Sequence, residues 1–215
     1  MARLKYQKRT ERKKVKMLYP RETKDGKLVT EDQMVDVREH MTQNYRLMFF
    51  TGVISGDTES HNLLMAMDSL NHKPIKIVIT SPGGDLDSAF LFYDTMRMIK
   101  SPIITVGRYC ASAAALILAA GSKRYLFPHA KVMLHLPSGQ AMGDARDWEI
   151  QHQEMKKYKN KLADAFCECG VKRSREQVLA DMDRDFWLEP EEAVEYGLAD
   201  KVLEATDLRQ MMKAG

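Results

Sequence analysis

No stretch of this chain reaches the roughly 18 consecutive apolar residues that a membrane-spanning helix needs, and its N-terminus has no apolar signal region. The sequence therefore predicts a soluble protein outside the secretory route. Cysteine is scarce. Cys110, Cys167 and Cys169 are an odd number, and the last two are spaced wrongly for a zinc knuckle or a redox C-x-x-C pair, so they read as reduced structural thiols. A glycine-rich phosphate loop is missing, as is any repeat of fixed period. The acidic run Asp181, Asp183, Asp185 lacks the glycine and the terminal Glu of a calcium-binding EF-hand loop. No cofactor-binding or metal-binding set emerges from the sequence.

What is present is enough for a substantial core. Of 215 residues, 44% are hydrophobic and 29% charged, and the mean hydropathy is -0.42. That fits one large domain or one domain with an appendage. Fifteen methionines suit adaptable core and contact surfaces. The formal charge of +3 is unevenly spread. Residues 1–16 hold eight Lys or Arg against Glu11 alone, so the remainder is mildly acidic. Such a tail suits an acidic partner surface or nucleic acid, or is simply a solvated end. It lacks the serines of a targeting presequence.

Along the chain, residues 1–44 are polar, with a turn signal at Asp25-Gly26 and a short helix predicted around Glu31–Met41. Apolar strand-length runs then alternate with helical patterns. Leu47–Ile54, Ile75–Thr80, Ile103–Val106, Arg124–Phe127, Lys131–Leu136 and Ala199–Leu203 read as strands. Helices are predicted after an Asp57-Thr58 cap through Leu70, after the Ser81-Pro82-Gly83-Gly84 turn, and across the Ala-rich stretch from Tyr109 to Gly121. A long one runs from about Asp144 to Cys169, with an apolar stripe of Trp148, Met155, Tyr158, Leu162, Ala165 and Phe166. Ser174-Arg175-Glu176-Gln177 is a capping box, and Pro190 opens a last helix that Gly197 stops. This alternation predicts an α/β fold with a parallel sheet and right-handed crossovers.

Chemistry converges on Ser112. Its hydroxyl stands between a buried strand and a small-residue helix, where neighbouring chain can approach. Taken alone it could equally cap that helix. His135 interrupts an apolar strand and could be a hydrogen-bonded core histidine. Together with a carboxylate from the Asp181 region they make a nucleophile, a base and an orienting acid. Gly83-Gly84 can turn backbone N–H groups outward to hold an oxyanion, each donor being worth ~3 kcal/mol in the transition state. Spacing alone does not choose His135 over His129, or Asp181 over Asp183.

These residues resemble the ClpP family of self-compartmentalising serine peptidases. The resemblance is carried by Ile79-Thr80-Ser81-Pro82-Gly83-Gly84, Tyr93-Asp94-Thr95-Met96, Ala111-Ser112 through Gly121, Val132-Met133-Leu134-His135, Asp181–Phe186, and Glu192–Leu198 with Asp200. It spans about residues 47–203. It implies a ClpP/crotonase-like fold of repeated β-β-α units with a projecting handle helix. It also implies Ser112 as nucleophile, His135 as general base, Asp181 as orienting acid, and the Gly84 and Ala113 N–H groups as the oxyanion hole.

By the same resemblance, the function expected is that of the proteolytic subunit of an ATP-dependent Clp protease, which degrades unfolded polypeptides to short peptides. Two stacked heptameric rings of this chain would enclose the sites. An AAA+ Clp ATPase would feed them and use the ATP. The division would be a segment 1–44 for gating and partner contact, a peptidase domain 45–205 and a tail 206–215. The compartment would be the cytoplasm, or an organelle matrix or stroma. Gly107 stands one residue early against the family pattern, Lys100 to Ser112 is one residue short, Gln140 replaces a glycine, and Ala180 stands where many members have Arg. The competing readings are a structural subunit of a mixed Clp ring and a crotonase-like acyl-CoA enzyme. Nucleic-acid binding by the basic tail is the remotest.

Overall fold

The computed structural model describes residues 14–22, 28–56, 59–139, 143–207 and 210. The chain enters as an antiparallel hairpin of β1 (Lys14–Glu22) and β2 (Leu28–Asp36). Helix α1 (Val37–Tyr45) follows, its opening N–H groups capped by the Asp36 carboxylate. The helix expected at Glu31–Met41 therefore starts later. The β1–β2 ladder holds the chain extended as far as Asp36, and the cap then sits at the ladder's end. The Asp25-Gly26 turn, the Asp57-Thr58 cap, Gln140 and most of the basic tail lie outside the described residues.

From there strands and helices alternate: β3 (Leu47–Thr51), α2 (Glu59–Leu70), β4 (Ile75–Ser81), α3 (Leu86–Met98), β5 (Ile103–Ala111), α4 (Ala113–Ala119) and β6 (Lys123–Leu134). Then come α5 (Ala145–Glu168), α6 (Arg175–Asp181), β7 (Phe186–Leu188), α7 (Pro190–Tyr196) and β8 (Lys201–Val202). The main sheet has the order β3-β4-β5-β6-β7, with β8 also on β6. Strands β3 to β6 are parallel, as the alternation predicts. The exception is β7, which runs antiparallel to β6 in the register Val132↔Leu188, Met133↔Trp187, Leu134↔Phe186. Its three residues are too short a run to stand out as a strand.

Two further differences from the sequence reading lie in β5 and β6, on either side of Ser112. The stretch expected to turn helical at Tyr109 stays in β5 through Ala111, because Cys110 and Ala111 pair with Val132 and Met133. The two runs expected as separate strands, Arg124–Phe127 and Lys131–Leu136, are one strand with a register break between them.

Ile75, Ile77 and Ile79 of β4 alternate into the core and are fully buried, as is nearly all of α4. Only the C-terminal part of α5 is buried, at Leu162, Ala163, Ala165 and Phe166. The rest of that helix, about 36 Å long overall, leaves Trp148 and Ile150 exposed. Among the described residues no helix is long and apolar enough to cross a membrane.

A polar knot ties the turns that lead into β4 and β5. The buried Arg46 guanidinium donates to the Met67, Lys73 and Pro74 carbonyls and to Ser101 Oγ. Asp68 accepts from Ser101 N–H and Oγ–H, both at 2.8 Å, and from His72 Nδ1 at 3.1 Å. Burial alone would raise the Asp68 pKa, but the hydrogen bonds from Ser101, His72 and Lys100 outweigh it and hold the group at about 2. A carboxyl whose folded-state pKa lies below its unfolded value stabilises the fold above the unfolded value, and loses that contribution as pH falls towards the folded one. Chemical denaturation at a series of pH values, beside Asp68→Asn, checks this. Wild type is expected to be the more stable at pH 6, with the gap closing as the pH drops from about 4 to 2. A gap independent of pH would contradict it.

Candidate active site

Three chain segments meet at the end of β5 and β6. The first is the elbow between β5 and α4. Ser112 sits there with φ 58° and ψ −130°, a left-handed conformation that costs a non-glycine residue about 1–3 kcal/mol. Its surroundings hold it in place. Ser112 N–H donates to Met133 O at 2.8 Å, and Ser112 O accepts from Ala115 N–H at 2.9 Å. The hydroxyl makes no helix-capping hydrogen bond, so the capping role open to it in the sequence is not the one it plays.

The early position of Gly107 has a structural outcome. Adjacent residues Ile79 and Thr80 of β4 pair with Gly107 and Tyr109, which leaves Arg108 as an extra residue. This bulge in a parallel ladder takes up the added length between Gly107 and Ser112. The exposed Arg108 guanidinium stacks over the Phe127 ring, 5.6 Å from its centroid.

The second segment is the end of β6. His135 follows its last residue, with Nε2 2.7 Å from Ser112 Oγ. In the tautomer protonated on Nδ1, Nε2 accepts the serine proton and Nδ1–H points the other way. The imidazole is 24% exposed, so it is neither a core histidine nor a surface one.

The third segment corrects the sequence reading. The carboxylate facing Nδ1 is that of Asp185, at 3.8 Å, and not that of Asp181. The reason is register. In the antiparallel β6–β7 ladder Leu134 pairs with Phe186, so one step on brings His135 opposite Asp185. Leu136 N–H donates to Met182 O at 2.8 Å and fastens the same two segments together. Asp181 is the last residue of α6, and its carboxylate accepts from Tyr196 O–H at 3.0 Å. At 3.8 Å the His135–Asp185 contact is longer than a hydrogen bond, a common state for catalytic groups without substrate. Asp183 is exposed, its carboxylate 3.7 Å from the Arg184 guanidinium. His129 is exposed in the β6 register break. Of the residues left open by spacing, the structure sets His135 against Ser112, and the carboxylate nearest its Nδ1 is that of Asp185, outside the pair first considered. The signal for Asp185 was its place just before the apolar triplet Phe186-Trp187-Leu188.

The glycine turn closes on the elbow from the β4 side. A Cβ on Gly83 (φ 91°) would stand 2.7 Å from both Ala111 O and Ser112 Cβ. A Cβ on Gly84 (φ 149°) would stand 2.1 Å from Ile54 O. Only residues without side chains let the turn approach Ser112 this closely. Ile54 N–H donates to Gly83 O and Asp85 N–H to Ile54 O, which locks the turn to the chain after β3. Among the described residues, neither the Gly84 nor the Ala113 N–H donates to a protein acceptor. None of the described His, Cys, Asp and Glu residues are grouped in threes to hold a metal ion. Burial pushes the Cys110 thiol well up, and the Cys169 thiol up to about 11, consistent with unreactive thiols.

The family model described as Clp protease matches residues 29–206. The chain is 39% identical over 168 residues to the ATP-dependent Clp protease proteolytic subunit 1 of Rhodopirellula baltica, covering 75% of this chain and 73% of that protein. It is 39% identical over 143 residues to the ATP-dependent Clp protease proteolytic subunit 2 of Pseudomonas aeruginosa, with 65% and 71% covered. To the chloroplastic proteolytic subunit 4 of Arabidopsis thaliana it is 41% identical over 139 residues, with 63% and 47% covered. A serine held in a strained elbow against a histidine, with family-wide similarity across the whole sheet, leaves one assignment: the chain belongs to the Clp protease family.

Proposed function

We propose that Ser112, His135 and Asp185 form the catalytic triad of this chain, with the Gly84 and Ala113 N–H groups as the oxyanion hole. As a member of the Clp protease family the chain is a serine peptidase. The observation that carries the residue assignment is the 2.7 Å approach of His135 Nε2 to Ser112 Oγ at a strained strand-to-helix turn. Ser112 Oγ attacks the peptide carbonyl as Nε2 takes its proton. The carbonyl oxygen gains charge and is held by the two backbone donors. Asp185 orients the imidazole and stabilises the imidazolium. His135 then protonates the leaving amine, and water, activated by the same Nε2, releases the acyl group.

The relatives' names carry a Clp protease and a dependence on ATP, so an associated Clp ATPase is the partner we propose, with unfolded polypeptide as substrate. The nucleotide is then used by the partner. We further propose two stacked heptameric rings of this chain, with residues 1–44 meeting the ATPase and 206–215 as a tail. The compartment proposed is the cytoplasm or an organelle interior. No geometry favours a crotonase-like reaction, which has no use for a serine–histidine contact.

The test is covalent labelling of the assembled protein with a fluorophosphonate, read by intact mass and peptide mapping. One adduct per chain, on Ser112, is the expected result. Assembled rings that take up no label, or label elsewhere, would refute the assignment and favour a structural subunit.

A further inference from the structure

Among the described residues, no side chain makes a hydrogen bond to the Asp185 carboxylate. It is 63% exposed and 3.8 Å from His135. Its position depends on the loop 181–186, and one side chain holds both ends of that loop. Tyr196, 2% exposed in α7, donates its O–H to Asp181 at one end. Its ring lies 5.8 Å from that of Phe186 at the other end. The Arg173 guanidinium covers the ring, 5.4 Å from its centroid. Asp181 needs such a donor, because a carboxylate at a helix C-terminus faces the negative end of the dipole. Burial, then the hydrogen bond to Asp181, raise the Tyr196 phenol above its ordinary range, so it stays protonated as a donor.

We infer that Tyr196 is a positioning residue for the proposed triad, clamping the Asp181 and Phe186 ends of the loop so that Asp185 stays opposite His135. The inference rests on the triad reading above. It also gives Asp181 a role: anchor of the loop that carries the orienting acid. Met182, fully buried between the two anchors, and its carbonyl bond to Leu136 fix the middle of the path.

The experiment compares Tyr196→Phe with wild type in the assembled protein, using the fluorophosphonate acylation rate and the kcat and KM of a fluorogenic peptide. Losing one hydroxyl is expected to lower acylation and kcat by about 10- to 100-fold, the cost of a misplacement near 1 Å, with KM unchanged. Asp181→Ala, which leaves the buried ring in place, is expected to do the same. The decisive background is Asp185→Asn. There Tyr196→Phe should cost nothing further, because it acts only through Asp185. Full activity in Tyr196→Phe, or an equal loss in the Asp185→Asn background, would overturn the inference. Failure of wild type to take the label would instead overturn the triad reading beneath it.

Discussion

Ser112→Ala is expected to cut peptide hydrolysis about 10⁶-fold. The variant keeps the glycine turn and the rest of the sheet, so substrate still binds. What it loses is the atom that forms the acyl intermediate, and no neighbour replaces it. Cys110 is fully buried with its thiol pushed up, and its position in β5 turns it into the core. The residual rate is what positioning and the backbone donors supply to a water molecule. Alanine should also relieve nothing of the backbone strain, since φ 58° is as foreign to Ala as to Ser. Steady-state cleavage of a fluorogenic peptide, with thermal stability measured in parallel, checks both points. A rate within an order of magnitude of wild type would remove Ser112 from the mechanism.

Asp185→Asn carries the second largest expected effect, a fall in kcat of about 10⁴-fold. The amide nearly matches the carboxylate in size, so the β6–β7 register and the Leu136–Met182 bond are kept. The change removes the charge that favours imidazolium, and the amide N–H₂ can hold the wrong tautomer of His135. Unchanged KM with collapsed kcat is the signature. If Asp181→Asn rather than Asp185→Asn produced the ten-thousandfold loss, the aspartate first read from the sequence would be the orienting acid after all.

The contrast between these aspartates marks the limit of what the sequence made legible. Ser112, His135 and the glycine turn could be read because each sits in a local signal: a strand-to-helix change, an interrupted apolar strand, adjacent glycines before a helix. The capping box at Ser174 and the stop at Gly197 form as predicted for the same reason. The proposed orienting acid was different. Its place is set by an antiparallel pairing between segments about fifty residues apart, and a three-residue strand has no period to read. The Arg108 bulge was also hidden. The early glycine marked an irregularity, but only the pairing with Ile79 and Thr80 shows that Arg108 leaves the ladder. The hairpin before α1 was missed although Lys14-Val15-Lys16-Met17 alternates charged and apolar residues, because the surrounding stretch is dominated by charge.

The pairing of β7 with β6 also sets a schedule for synthesis. Ser112 and His135 lie in the first two thirds of the chain, and domains tend to organise from the N-terminus as they are made. Asp185 cannot dock until Phe186, Trp187 and Leu188 have been added and have zipped onto Leu134, Met133 and Val132. Tyr196 comes later still. A half-made subunit therefore holds a serine and a histidine without the carboxylate proposed to complete them. Nascent chains crowded on one messenger would be poor enzymes, and so poor threats to one another, until β7 has been made and paired.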